Sequence, residues 1–179
     1  MIYIIGNGGH AKVIKDILGN KEYSVFDDKI EGKTINDLFK ILHEDKSRIH
    51  KIIIAIGNNK ARFNIYKKLY NQDFFEYLFF INVISKDAII SPNIRYMGKG
   101  NVICAGAVIE SDCLIGDFNI INTNSSINHE SRLKNFIHLS PHSSLCGNCF
   151  IDSGVMIPTG YNIIPKWKIS LNENEFFNI

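Results

Sequence analysis

Residues 103–133 read ICAGAVIESDCLIGDFNIINTNSSINHESRL, and an aliphatic side chain returns at every sixth position. Here the series is Ile103, Ile109, Ile115, Ile121, Ile127 and Leu133; it continues through Leu139, Leu145, Ile151, Ile157 and Ile163. Ile84 and Ile90 open it on the N-terminal side. The fifth residue of a six is often small, as at Ala88, Ala107, Cys113, Ser125, Ser131, Ser143 and Val155. A step of six matches neither a heptad nor the helical period, whereas a hexapeptide repeat is a signature of a parallel β-helix. Three sixes make one triangular coil, so residues 18 apart stack vertically. One slip occurs at RYMGKG, where Met97 takes the inward slot seven residues after Ile90 and predicts a bulge at a corner.

The first 81 residues follow another rule. IYIIG leads into HAKVIKDILGN, YSVFDD precedes TINDLFKILHED, and KIIIAIG leads into NKARFNIYKKLYNQ. Apolar strands alternating with helical patterns predict parallel strands joined by crossover helices, a small Rossmann-like α/β domain. The expected organisation is therefore α/β over 1–81, β-helix over 82–165 and an irregular tail over 166–179. That tail, KWKISLNENEFFNI, is polar, carries the only Trp and shows no six-residue phase.

A hydrophobic content of 45% over 179 residues is enough for a proper core. The 20 basic and 18 acidic side chains are spread along the chain, without the basic stripe of a nucleic-acid binder. The opening MIYIIGNGG lacks the basic and long apolar regions of a signal peptide, and no apolar run approaches the roughly 20 residues of a membrane span. Together with four cysteines confined to the second half, this predicts a reduced, cytoplasmic chain. CGNC has CxxC spacing, but no second pair accompanies it and no helix adjoins it, so no metal site is expected.

GNGGHA, Gly6 to Ala11, follows a strand and opens a helix, satisfying G-x-G-x-x-A. Glycines let a ligand approach the backbone, and a helix N-terminus offers N–H groups to a phosphate. Asp27 and Asp28 end the second strand, where a dinucleotide fold places its ribose-binding acid. That spacing reads as NAD, yet so small a domain suits a nucleotide diphosphate better. A tight turn without ligand is the other reading. On the coil, INHESR puts Ile127 and Ser131 inward, which leaves His129 and Glu130 at a corner facing out. Ser111 stacks below His129 and Gly147 above, predicting an open shelf over the histidine. An exposed corner histidine can simply be solvated. A carboxylate beside it instead favours imidazolium and raises the ring's basicity, although successive residues meet only if the corner geometry allows.

Taken together, IIGNGGHAKVI, the DD pair, IAIGNNKAR and INHESRLKNFIHLS resemble a family of bacterial sugar acyltransferases. This family includes the UDP-4-amino-sugar N-acetyltransferase of the bacillosamine pathway and the sialic acid O-acetyltransferases. The resemblance implies a homotrimer in which the N-terminal domain binds a nucleotide-linked amino sugar and a left-handed β-helix binds acetyl-CoA between subunits. Carried over by motif, His129 matches the catalytic base and Glu130 the residue that raises its basicity. Gly8, Gly9, His10, Asp27, Asp28 and Gly57 match contacts to the nucleotide sugar, and Asn122 a polar active-site neighbour. His138, Gly147 and Ser153 match the acetyl-CoA wall. The implied reaction is acetyl transfer to the amine of a UDP-type 4-amino sugar for surface glycan biosynthesis. Two other readings are O-acetylation of a sialic acid or related sugar hydroxyl, and a nucleotide-sugar-binding trimer whose shortened C-terminal coils impair catalysis. Two departures bear on the cofactor. The family carries one more hexapeptide between LCGN and CFID, which shifts Ser153 by a third of a coil, and it has further coils where this chain has its tail.

Overall fold

The computed structural model describes residues 1–170 and divides the chain into two compact units that meet in sequence at Ile81 and Asn82. In the first unit, strands β1 (Ile2–Ile5), β2 (Tyr23–Phe26), β3 (His50–Ile54) and β4 (Leu78–Phe80) form one parallel sheet in the order β2-β1-β3-β4. Helices α1 (Gly9–Leu18), α2 (Ile35–Glu44) and α3 (Asn59–Tyr70) make the crossovers. All of β1 is buried, as is most of β3, because a parallel sheet covered on both faces needs continuous apolar runs. Helix α2 starts with a capping box: Thr34 Oγ1 accepts from the Asp37 N–H, and Asp37 Oδ2 accepts from the Thr34 N–H. Helix α3 is capped by Asn58, whose Oδ1 accepts from the Ala61 N–H. Helix α1 has Gly8 as its N-cap and no side-chain cap.

In the second unit, fifteen two-residue strands, β5 (Val83–Ile84) to β19 (Lys168–Ile169), fall into three parallel sheets of five. Partners above the first coil are 18 residues apart, as with Ile121 on Leu139, Ile127 on Leu145 and Leu133 on Ile151. In the first coil they are 19 apart at Ile84 on Ile103 and Ile90 on Ile109, and 18 again at Met97 on Ile115. The extra residue thus sits before Met97, and there the N–H groups of Arg95 and Tyr96 both reach the Cys113 carbonyl, the expected bulge. From Ile103 to Ile163 the aliphatic series stacks into one buried column with Ala107, Cys113, Cys149 and Val155, and Ile90 and Met97 pack on it partly buried. Ile84, expected inward, is instead 42% exposed on the first coil, which has no coil beneath it. Buried Ser125 and Ser143 donate to the carbonyls of Asn122 and Ser140 at 2.7 Å, which satisfies their hydroxyls at the inner corners.

Two features depart from the sequence reading. Every sixth residue from Gly100 to Lys166 has φ between 55° and 79°, and eight of these twelve are not glycine. This is the corner itself, a single left-handed residue per turn, held by the ladder against a cost of about 1 kcal/mol for each L side chain. Second, the tail expected to be irregular from 166 continues the coil. Lys166 takes the corner conformation, Lys168–Ile169 pair with Phe150–Ile151, and Ile169 packs on the column because it lies six residues after Ile163. The rest of the expected tail, 171–179, lies outside the described residues.

Candidate functional site

The strand order places β1 between β2 and β3, so the chain reverses direction across the sheet between β1 and β3, where α/β folds bind ligands. The loop after β1 needs a glycine at position 6: φ is 108°, and a β-carbon would come within 3.0 Å of the Ala55 carbonyl oxygen. Gly8 and Gly9 are exposed, and a β-carbon on either would meet nothing within 4 Å. Their lack of side chains therefore serves open space, not internal packing. Gly57, in the loop after β3, lies against His10, with a β-carbon position 3.8 Å from the histidine Cβ. Asp27 is committed to the loop: Oδ2 accepts from the Asn7 N–H at 2.8 Å and Oδ1 from the Lys29 N–H at 2.9 Å. Asp28 Oδ1 accepts from the Ile35 N–H at the start of α2. Gly8, Gly9, His10, Asp27, Asp28 and Gly57 thus share one end of this sheet.

Two residues in this region escaped the sequence reading. Lys15 Nζ donates to Asn7 Oδ1 at 2.7 Å, bracing the glycine loop. Arg62 is only 1% exposed and donates to the carbonyls of Ile56 and Gly57 and to Asn59 Oδ1. Burial pulls its pKa down to about 9, so the guanidinium is still charged at neutral pH. IAIGNNKAR contains this arginine, but nothing in its spacing says that it folds back beneath the loop.

On the coil, His129 and Glu130 occupy the corner between the sheet of Ile127 and the sheet of Leu133. The left-handed φ of 62° at Glu130 turns its side chain back, and Oε2 accepts from His129 Nδ1–H at 3.2 Å. Both side chains are more than half exposed. The ring lies over Gly147, where a β-carbon would come within 2.5 Å of Cε1 and 2.6 Å of Nε2. The shelf expected above the histidine is therefore filled by the imidazole itself; glycine makes room for the ring.

His138 belongs to the third sheet, and its Nε2 accepts from Asn122 Nδ2 at 3.0 Å. One coil does not bring His129 and His138 onto the same face. Ser153 is buried, and its Oγ accepts from the Asn135 N–H at 3.2 Å, so it braces the coil where a cofactor contact was expected. Of the CGNC thiols, Cys149 points inward, donates to the Ile164 carbonyl and is raised in pKa chiefly by burial. No group of three or more His, Cys, Asp or Glu among the described residues is placed to hold a metal ion. No described helix is long and apolar enough to cross a membrane.

Known proteins share this fold. Residues 1–69 match the family model of the PglD N-terminal domain. The chain is 33% identical over 132 residues, 67% of its length, to an uncharacterized protein of Acanthamoeba polyphaga mimivirus, and it spans 24% of that protein. Among solved structures it matches a mutant of perosamine N-acetyltransferase from Caulobacter crescentus in complex with CoA and GDP-perosamine. The TM-score is 0.80 at 28% identity, over 93% of this chain and 81% of that one. The acetyltransferase domain of PglB from Neisseria gonorrhoeae, in complex with acetyl coenzyme A, matches with TM-score 0.79 at 28% identity, over 93% and 83%. Fold and corner define a hexapeptide protein, a Rossmann-like α/β unit followed by a left-handed parallel β-helix. The chain carries a PglD N-terminal domain and has the architecture of the left-handed β-helix sugar N-acetyltransferases, as its motifs indicated.

Proposed function

We propose that the protein transfers the acetyl group of acetyl-CoA to the amine of a nucleotide-linked 4-amino sugar, with His129 as general base. The observation that carries this reading is the Nδ1–H bond to Glu130, because it leaves Nε2 as the lone-pair nitrogen on an exposed corner. A sugar ammonium cannot attack a thioester until it loses a proton, and Nε2 is the group that takes it. The amine nitrogen then bonds to the thioester carbonyl carbon, the C–S bond breaks, and coenzyme A leaves as the thiol after gaining a proton. Glu130 stabilises the imidazolium formed on the way.

Nucleotide binding is assigned to the open side of Gly8 and Gly9, with His10, Asp27, Asp28 and Gly57 around it. Acetyl-CoA is assigned to the coil, near His138 and the His129–Gly147 corner. Assembly as a homotrimer belongs to the same reading, since an interface between copies can offer the two separated histidines to one cofactor. The GDP-linked amino sugar of the Caulobacter neighbour supports the substrate class, and a UDP-linked sugar is the substrate that the motifs imply. The binding-only alternative rested on shortened coils, and the coil runs on to Ile169. The test is thiol release from acetyl-CoA with UDP- and GDP-linked 4-amino sugars. Turnover should appear with one of them and fall at least a hundredfold in His129→Ala, with nucleotide binding kept. Undiminished turnover in that variant would refute the base assignment.

A further inference from the structure

In several hexapeptides of the coil the N–H two residues after the inward aliphatic is taken up by a side chain. Thr123 donates to Asn122 Oδ1, Ser153 to Asp152 Oδ1, and Asp117 to Asn135 Oδ1. In the hexapeptide of Ile127 this N–H belongs to His129 itself, and its acceptor is Glu110 Oε2, 19 residues earlier, at 2.9 Å. Glu110 is half-buried, and its own N–H is fixed to the Ile127 carbonyl at 2.9 Å, so the carboxylate rises from a rigid strand end. The next N–H, that of Glu130, donates to the Ser111 carbonyl at 3.1 Å. Two successive amides of the corner are thereby clamped to two successive residues of the coil below. Asp112, the following residue, is held away in an ion pair with Arg95 at 2.9 Å.

We propose that Glu110 is a positioning residue for His129: its carboxylate fixes the backbone of the base so that the ring lies over Gly147 and Nδ1 faces Glu130. This rests on the reading of His129 as the base. A ring swung from the φ and χ values set by this clamp loses either the Glu130 bond or the glycine seat. Displacements of that order, about 1 Å, cost up to roughly a hundredfold in rate.

The experiment compares Glu110→Ala, Glu110→Gln and Glu110→Asp in the full chain. A positioning role through the N–H bond predicts that Ala and Asp lower kcat by about tenfold or more with KM for both substrates changed less than about twofold. Gln, whose amide oxygen still reaches, should restore most of kcat. In ligand-free protein, the His129 amide proton, downfield in wild type through its carboxylate bond, should move upfield in Ala and Asp, and the ring Cε1–H resonance should move with it. Should the Ala variant not fold, the Gln and Asp pair decides alone. The opposite order, Asp active and Gln impaired, would overturn the proposal, as would unmoved His129 resonances in Asp or Ala. The resonances need no substrate, so a chain that shifts them yet acetylates no sugar would keep the clamp and lose the reaction.

Discussion

Gly147 and His129, 18 residues apart and one coil removed, are in direct contact: the imidazole occupies the space that a side chain at 147 would fill. A β-carbon there would meet Cε1 at 2.5 Å, and the ring, hinged at an exposed corner, is the part that must give. Gly147→Ala should therefore lower kcat by about tenfold to a hundredfold by displacing the proposed base. Its backbone φ lies outside the left-handed range, so an alanine is tolerated and the melting temperature should stay level or rise slightly. Paired kinetics and thermal denaturation check this; a large stability loss with normal kcat would contradict it.

Glu130 meets His129 through one hydrogen bond at 3.2 Å between groups that are both more than half exposed. Such a bond sets tautomer and orientation more than it adds stability. Glu130→Gln should thus reduce kcat by about tenfold while leaving the melting temperature unchanged, and the loss should exceed any change in KM. Equal kcat in the two proteins would remove Glu130 from the reaction.

The aliphatic step of the coil was readable because each inward slot accepts one chemical class, so its period survives in the sequence. The corner was not. Asp112, Phe118, Asn124, Glu130, Phe136 and His142 share one left-handed conformation and almost nothing chemically, since the ladder imposes their backbone while their side chains are free to differ. Equally hidden were Asn101 and Asn119, which stand fully buried in a slot read as often small. The Asn101 amide accepts from the Asn119 N–H at 2.8 Å, and Asn119 from the Ile137 N–H at 2.8 Å. In the candidate site, His129 and Glu130 were placed at the corner from phase alone. Glu110 was missed because its contact spans 19 residues, off the stacking step, and Arg62 because a fold-back beneath a loop leaves no periodic trace.

The cysteines offer a check of the coil's interior. Burial pushes the Cys104 thiol up to about 11 and raises Cys113 and Cys149, whereas Cys146 is half-buried. A thiol whose folded pKa is raised above the unfolded value stabilises the fold fully below about pH 9. That contribution is lost as pH rises through the folded value, near 11 for Cys104. At pH 8 these three thiols stay protonated and shielded. Alkylation of the native protein at that pH should modify Cys146 first, by mass spectrometry of the digest, and the other three only on unfolding. Fast labelling of Cys113 or Cys149 would mean that the corner stack is open.

Corner residues give the last prediction, because glycine and non-glycine corners should respond in opposite directions. Gly106 has φ of 69°, and a β-carbon would strike Asn124 Oδ1 one coil above, at 2.0 Å. Gly106→Ala adds this clash to the left-handed penalty and should cost about 1–3 kcal/mol. His142 adopts φ of 58° with its side chain in solvent and its N–H held by the Thr123 carbonyl. His142→Gly keeps that bond and releases the left-handed cost, offset in part by the greater chain entropy of glycine when unfolded, for a net gain of up to about 1 kcal/mol. Urea denaturation of both variants measures the contrast. A loss of stability in His142→Gly comparable to that in Gly106→Ala would show that side chains, not the backbone conformation, hold the corners.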